Sequence, residues 1–339
     1  KWSTILPEVN NMRRKGVNYA KYGYFFSLPF VIAYVIFNLI PTLFTVVIGF
    51  TDFKGIGRTD FKFLDDIFQN FKIVLNNPSF QTSIKNTLGI WLANFIPQIL
   101  LALLLTAWFT NNRRKIKGQG FFKVIFYMPN IITAATVAIL FSAMFGYPTG
   151  PINSLFQNLG LSKESIYFLM DKNVARGVVA FIQFWMWYGY TMIILISGTL
   201  AINPELFEAA DIDGATSRQS FFYVTLPNIR TILIFTLITS LIGGLSMYDI
   251  PKLFLNGGPD NATLTANVFI YNQAFQGSYM YNRAAAASMI LFIMIAISSS
   301  FVFYIMRDKE EIEHRKMEKK RMKEYKKAEK ASRRLSNEK

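Results

Sequence analysis

The chain has 339 residues, of which 52% are hydrophobic and only 17% charged, with 33 Phe, positive mean hydropathy and a formal net charge of +15. Such a composition excludes a soluble globule and reads as an all-α polytopic membrane protein. Cys is absent, which excludes disulfides and thiolate metal sites.

A span needs about 20 mostly apolar residues to cross the hydrocarbon, and its backbone groups must pair internally, so spans are helices. Six stretches qualify: roughly 25–50, 87–109, 121–145, 175–199, 230–248 and 284–306. They divide the chain into a cytoplasmic segment 1–22, a transmembrane domain 23–306 and a basic cytoplasmic segment 307–339. The first stretch is too long for a cleavable signal and lacks a small-residue cleavage site. Residue 1 is not Met, so it is not taken as the natural start. The third span holds Pro129 and Asn130, and the fifth holds Gly243-Gly244, which makes these two the least regular. Between the fourth and fifth spans lies a polar loop, 204–228. Beyond the sixth, Glu310–Ser336 is a polar helix former of mixed charge with almost no apolar face. Attraction to anionic headgroups is one reading of it; a solvated extension that anchors topology is the reading preferred. His314 in that stretch is a solvated side chain with no assigned role.

Lys and Arg near span ends set orientation. With both termini inside, the inner segments carry 5 (1–22), 5 (112–123), 2 (the 204–228 loop with Arg230) and 14 (307–339). The outer segments carry 5 (51–85), 3 (146–176) and 2 (250–283). Arg113-Arg114-Lys115-Lys117 and the last segment decide the matter. The loop 204–228 is poor in cations and holds Glu205, Glu208, Asp211 and Asp213, so it serves a partner rather than the lipid surface. With 14 of the 36 cations beyond the last span, the net charge does not point to nucleic acid.

That loop is the most informative part of the chain. Two short helical pieces, Pro204–Asp213 and Ser217–Tyr223, flank a glycine that permits a sharp turn and close approach by another backbone. Leu226-Pro227 ends the amphipathic stretch just before the next span. Glu208-Ala209-Ala210, Asp213-Gly214-Ala215, Val224 and Leu226-Pro227 resemble the EAA loop of ABC importer permeases. In that family the loop is a coupling helix seated in a cleft of a separate ATP-hydrolysing subunit.

Further stretches are similar to the carbohydrate-uptake permeases of that family, the maltose-type and multiple-sugar-type. They are Phe50-Thr51-Asp52-Phe53, Asn77-Pro78-Ser79-Phe80, Asn86-Thr87, Phe121-Phe122, Tyr127-Met128-Pro129 and Gly150-Pro151-Ile152-Asn153. The densest is Met247-Tyr248-Asp249-Ile250 followed by Asn256-Gly257-Gly258-Pro259-Asp260-Asn261-Ala262-Thr263, Ile270-Tyr271 and Ala274-Phe275. The likeness covers about residues 20–306 and is to the compact six-span version, without an extra outer domain. Asn261-Ala262-Thr263 also has the form of a glycosylation acceptor but is read as a turn.

A sugar path wants aromatic planes for C–H faces, amides or hydroxyls for ring hydroxyls, and little formal charge. Gln183, Trp187 and Tyr190 recur at i, i+4, i+7 on one face of the fourth span; Ser240, Gly243, Gly244 and Met247 do so on the fifth. For the fifth, tight helix packing and cavity lining stand as equal readings. The resemblance places Tyr190 and Ser240 at sugar-contact positions of maltose-type permeases, whereas Gly243 and Gly244 replace bulkier contacts and leave room for an oligosaccharide. Asp249 either pairs with Lys252, helps gate the path, or is a solvated helix-end acid.

There is no G-x-x-x-x-G-K-[ST] phosphate loop, no metal-ligand spacing, no Ser-centred nucleophile and no intramembrane proton relay. Inverted repeats of a secondary transporter and the clustered side chains of a membrane enzyme are also missing. The resemblance therefore implies a non-enzymatic, multi-pass subunit of the bacterial cell membrane with type I ABC importer permease architecture. Its implied cargo is a carbohydrate, an oligosaccharide, with glycerol phosphate or another polar solute as the alternative. Implied partners are a second homologous permease (a heterodimer), two ATPase subunits that hold ATP and Mg, and an extracytoplasmic solute-binding protein. No cofactor is expected on this chain.

Overall fold

Helices account for nearly all of the backbone pairing, as a chain this apolar requires. The computed structural model describes residues 20–55, 57, 60–111, 116–277, 279–306 and 317–325. Arg113, Arg114, Lys115 and His314, and most of segments 1–22 and 307–339, lie outside these residues. Among the described residues, five helices are long and apolar enough to span, and a bent pair makes a sixth.

The first span is α1 (Ala20–Tyr34), one π-helical turn (Val35–Leu39) and α2 (Ile40–Ile48). Pro41 has no N–H to give Phe37, and the Ile40 N–H instead reaches Val35 O, so the turn before it widens. Only α2 packs appreciably on the bundle, against α15 (Tyr281–Met306); α1 presents Phe25, Phe26 and Phe30 outward. An antiparallel bridge, Thr51–Phe63, and the short α3 (Gln69–Leu75) lead to α4 (Pro78–Phe109). The second span starts well before residue 87 because Asn77 caps it, accepting from the N–H groups of Ser79 and Phe80, with Pro78 at the first helical position.

The third span is not one helix. α5 (Gln119–Ile131) and α6 (Ala134–Met144) are bent by 90°. Pro129 removes a donor one turn before the break, and Thr133 starts α6 by accepting from the Thr136 N–H. Asn130 donates across to Met186 O (3.2 Å). After α7 (Pro151–Asn158), Asp171 caps α8 (Lys172–Leu200), which packs along α4 and crosses α5. At that crossing a Cβ on Gly189 would stand 2.0 Å from the Phe126 carbonyl oxygen, so only glycine allows the approach.

The loop 204–228 holds α9 (Pro204–Ile212), α10 (Ser217–Gln219), a π-helical turn (Ser220–Thr225) and α11 (Leu226–Asn228). Winding therefore runs through Leu226-Pro227, contrary to the sequence expectation, and the break falls at Ile229 (φ −88°, ψ 8°). Pro227 has no N–H to give Tyr223, and the Leu226 N–H reaches Phe221 O, so the turn before it is widened as it is before Pro41. The fifth span is α12 (Arg230–Leu245), a turn at 246–248 and α13 (Asp249–Leu255), followed by α14 (Ala266–Phe275) and α15.

Three buried clusters hold the bundle. Ile90, Val137, Ile182, Leu241 and Ile250 join α4, α6, α8, α12 and α13. Ala102, Leu105, Met192, Leu195 and Ile229 tie α4 and α8 to the end of the 204–228 loop. Phe80, Leu264, Phe269 and Ala286 close the opposite end.

Candidate functional site

Gly214 has φ +74°, a conformation open to glycine and strained for most side chains. The Gly214 N–H donates to Asp211 O (3.1 Å) and the Ala215 N–H to Ala210 O (2.9 Å). This double closure is a Schellman end for α9, and it explains why small residues stand at 210 and 215 around an obligate glycine. Asn203 caps the start of α9 by accepting from the Glu205 N–H (3.1 Å). Thr216 and Gln219 form a reciprocal capping box that restarts the chain as α10.

The resulting elbow is closed by these backbone and capping bonds, and its outer side is exposed. Glu208, Ala209, Asp213, Gly214 and Pro227 are exposed, while Ala210, Ala215 and Leu226 are half-buried. Among the described residues, none beyond its chain neighbours comes within 4 Å of where a Gly214 Cβ would be, so the close approach expected at this glycine is not made by them. Ile212 (87% exposed) and Tyr223 (79%) add apolar surface that the motif itself does not foretell. The base of the elbow is fixed, because Thr225 and Ile229 are buried against α4 and α8.

The second feature is a cavity of about 340 Å³ between α4, α8 and α12, at the lower end of the range for ligand pockets. Gln183, Trp187, Tyr190, Ser240, Gly243, Gly244 and Met247 all line it, together with Thr236, Thr239, Tyr248 and Asp249. Trp187 and Tyr190 are 43% and 40% exposed and meet edge to face, ring centroids 5.7 Å apart. The cavity is thus open on that side rather than enclosed. The two glycines of the fifth span behave differently. A Cβ on Gly244 would lie 1.9 Å from Trp91 Cδ1, whereas Gly243 meets nothing within 4 Å. Gly244 is a packing residue as well as a lining one; Gly243 is lining alone.

α4 supplies a third wall that the sequence reading missed: Trp91, Asn94 and Gln98. Trp91 Nε1 donates to Ser240 Oγ (3.3 Å), and Gln98 Nε2 donates to Thr191 Oγ1 (2.7 Å). Their i, i+3, i+7 spacing in an apolar span was the available signal. Asp249 is the single acid or base among the lining residues. It does not pair with Lys252, whose ammonium donates to Asn256 Oδ1 (2.7 Å) and Asn272 Oδ1 (2.9 Å) and lies 4.7 Å above the Tyr271 ring. The Lys252 ammonium is thus engaged by Asn256, Asn272 and Tyr271, and Lys252 is not among the lining residues.

The roof of the cavity is pinned. Thr265 Oγ1 donates to Met247 O (3.0 Å) and Asn267 Nδ2 to Ser246 O (2.6 Å). Asn86 Nδ2 donates to Asn261 O (2.7 Å), Arg176 Nε to Ala262 O (3.0 Å), and the Ala266 N–H to Thr87 Oγ1 (2.9 Å). Asn261-Ala262-Thr263 is a turn with Ala262 and Thr263 buried, as expected. Among the described residues no cluster of His, Asp and Glu has metal-binding geometry.

Comparison with known proteins gives the same picture from another direction. Residues 16–309 match the family described as "Binding-protein-dependent transport system inner membrane component". The lactose transport system permease protein LacF of Rhizobium radiobacter is 30% identical, over 85% of this chain and 94% of that protein. The multiple sugar-binding transport system permease protein MsmF of Streptococcus mutans is 31% identical, over 82% and 92%. Among solved structures, one chain of a bacterial ABC transporter involved in the import of the acidic polysaccharide alginate superposes with a TM-score of 0.71. It is 25% identical and is covered to 97%, against 86% of this chain.

Proposed function

Because this chain belongs to the family of binding-protein-dependent transport system inner membrane components, we propose that it is the permease subunit of a bacterial importer whose cargo is an oligosaccharide. The observation that carries the cargo assignment is the cavity lining: four aromatic residues (Trp91, Trp187, Tyr190 and Tyr248), amides at 94, 98 and 183, hydroxyls at 191, 236, 239, 240 and 246, one carboxylate at Asp249 and no cation. That set suits neutral, hydroxyl-rich rings. Relatives whose names specify lactose, multiple sugars and arabinooligosaccharides support it. Glycerol phosphate ranks second, because a phosphate calls for an Arg or Lys in the lining.

The chain has no phosphate loop, so energy enters from outside. The elbow at Glu208–Gly214 receives it: ATP-driven closure of two ATPase subunits draws this elbow toward that of a second, homologous permease. The open side of the cavity, at Trp187 and Tyr190, faces that second permease, and a solute-binding protein delivers cargo to the opposite end. The bundles then rock about the cavity between inward- and outward-facing states.

Reconstitution in vesicles tests this. The chain alone should carry no sugar, and uptake should appear with ATP once the partner permease, ATPases and binding protein are present. Ion-gradient-driven uptake by the isolated chain would overturn the proposal.

A further inference from the structure

The first span is nearly bare. Of its 28 residues, Lys21–Ile48, only Ile48 is buried. Lipid suits Phe25, Phe26, Phe30 and Phe37 on such a span. It does not suit Asn38, which is exposed and whose amide has no hydrogen-bond partner among the described residues. Twenty-eight helical residues run about 42 Å, so with the middle of the span at mid-bilayer Asn38 stands about 5 Å from the midplane of a ~30 Å hydrocarbon layer. Its side chain is too short to reach either surface. A polar group at that depth is costly unless protein or trapped water receives it.

The backbone at the same depth adds to the demand. The Ile40 N–H reaches Val35 O and Pro41 has no N–H, so the carbonyls of Ile36 and Phe37 lose the donors that a regular helix gives them. Thr42, one turn on from Asn38, is also exposed, and its hydroxyl has no partner among the described residues. Asn38 and Thr42 stand about three and two turns before Gly49, so the three lie on one side of the span. At Gly49 that side touches α15, where an added Cβ would lie 3.2 Å from Met289 Sδ. Toward Asn38 the same side is uncovered, so the span parts from the bundle with its polar side bare.

We infer that Asn38 anchors the first span on a spanning helix of the second permease, its amide hydrogen-bonded to a hydroxyl, amide or carbonyl of that helix, with Thr42 and the carbonyls of Ile36 and Phe37 beside it. Acyl chains offer neither donor nor acceptor, whereas a neighbouring helix meets the amide at its own depth. The existence of a second permease comes from the proposed function; its place on the polar side of the first span comes from these residues. That side is a second contact with the partner, separate from the open side of the cavity.

Photocrosslinking in the assembled complex tests this. Benzoylphenylalanine is placed at Asn38, or at Ile40 on the other side of the span, and membranes holding this chain, the partner permease and the ATPases are irradiated. The expected result is a crosslink to the partner permease from position 38 and to lipid alone from position 40. Asn38→Leu should weaken the hold on the partner permease in detergent roughly threefold to thirtyfold, the worth of one intramembrane hydrogen bond, and Asn38→Gln should keep most of it. The unfolding temperature of the purified Asn38→Leu chain should not fall, which separates docking from folding. Lipid crosslinks alone from position 38, a crosslink there to a second copy of this chain, or full retention of the partner by Asn38→Leu would overturn the inference. Each of these leaves the importer reading standing while the wild-type complex still takes up sugar with ATP; a wild-type chain that binds no second permease removes both.

Discussion

Gly214 and the aromatic pair carry different kinds of argument. At Gly214 there is room for a side chain within this protein, and the cost of one is the positive φ, about 1–2 kcal/mol. Asn tolerates that region better than Val. We therefore expect Gly214→Asn to assemble like the wild type and Gly214→Val nearly so, with both losing most sugar-stimulated ATP hydrolysis and uptake, because either side chain would stand in the space that the proposed ATPase contact uses. Full uptake by Gly214→Asn would reduce the glycine to a backbone role. Trp187→Ala and Tyr190→Ala each remove an aromatic face from the open side of the cavity. At about 0.5–1.5 kcal/mol per aromatic contact, transport should fall roughly twofold to tenfold with the complex intact. Wild-type uptake would demote the pair to packing. These residues were legible because a polar-aromatic period stands out in an apolar span. Asn94 and Gln98 had the same period, but a lone sequence does not say which polar face turns toward which neighbour.

The helices were legible as lengths and less so as shapes. Hydropathy finds a span regardless of its straightness, so the third span was visible while its 90° break was not. Pro129 and Asn130 signalled irregularity, but the bend also needs Thr133 to start a new helix and Asn130 to reach Met186. Each of the two π-helical turns ends just before a proline, Pro41 or Pro227, but a proline in a span signals irregularity without saying that the turn before it widens. Close approach between elements is likewise written only as a glycine. Gly189→Ala should push α5 from α8, since its Cβ would fall 2.0 Å from the Phe126 backbone oxygen. The expected penalty is about 1–3 kcal/mol, read as a lower unfolding temperature of the purified chain. An unchanged midpoint would show that the crossing relaxes freely.

For the whole molecule, the sequence conveyed the number of spans and the family, and the comparisons agree. Orientation is read from the Lys and Arg near span ends, whereas the partners rest on the family and are part of the proposed function. Removal of residues 312–339 should leave ATP-driven uptake near the wild-type level, because the cavity, elbow and roof all lie before it. An assembled but inactive truncation would show that the basic stretch takes part in transport itself.

The pinned roof and the packed base hold α12 at both ends. Bonds from Thr265 and Asn267 fix the carbonyls of 247 and 246, and Ile229, beside Arg230, is buried against α4 and α8. At 1.5 Å per residue, Ser240 lies about two-fifths of the way from the roof to Arg230. A rod clamped at its two ends does not swing by itself, so the depth of Ser240 and Gly243 in the cavity wall alters only when the surrounding helices move with them.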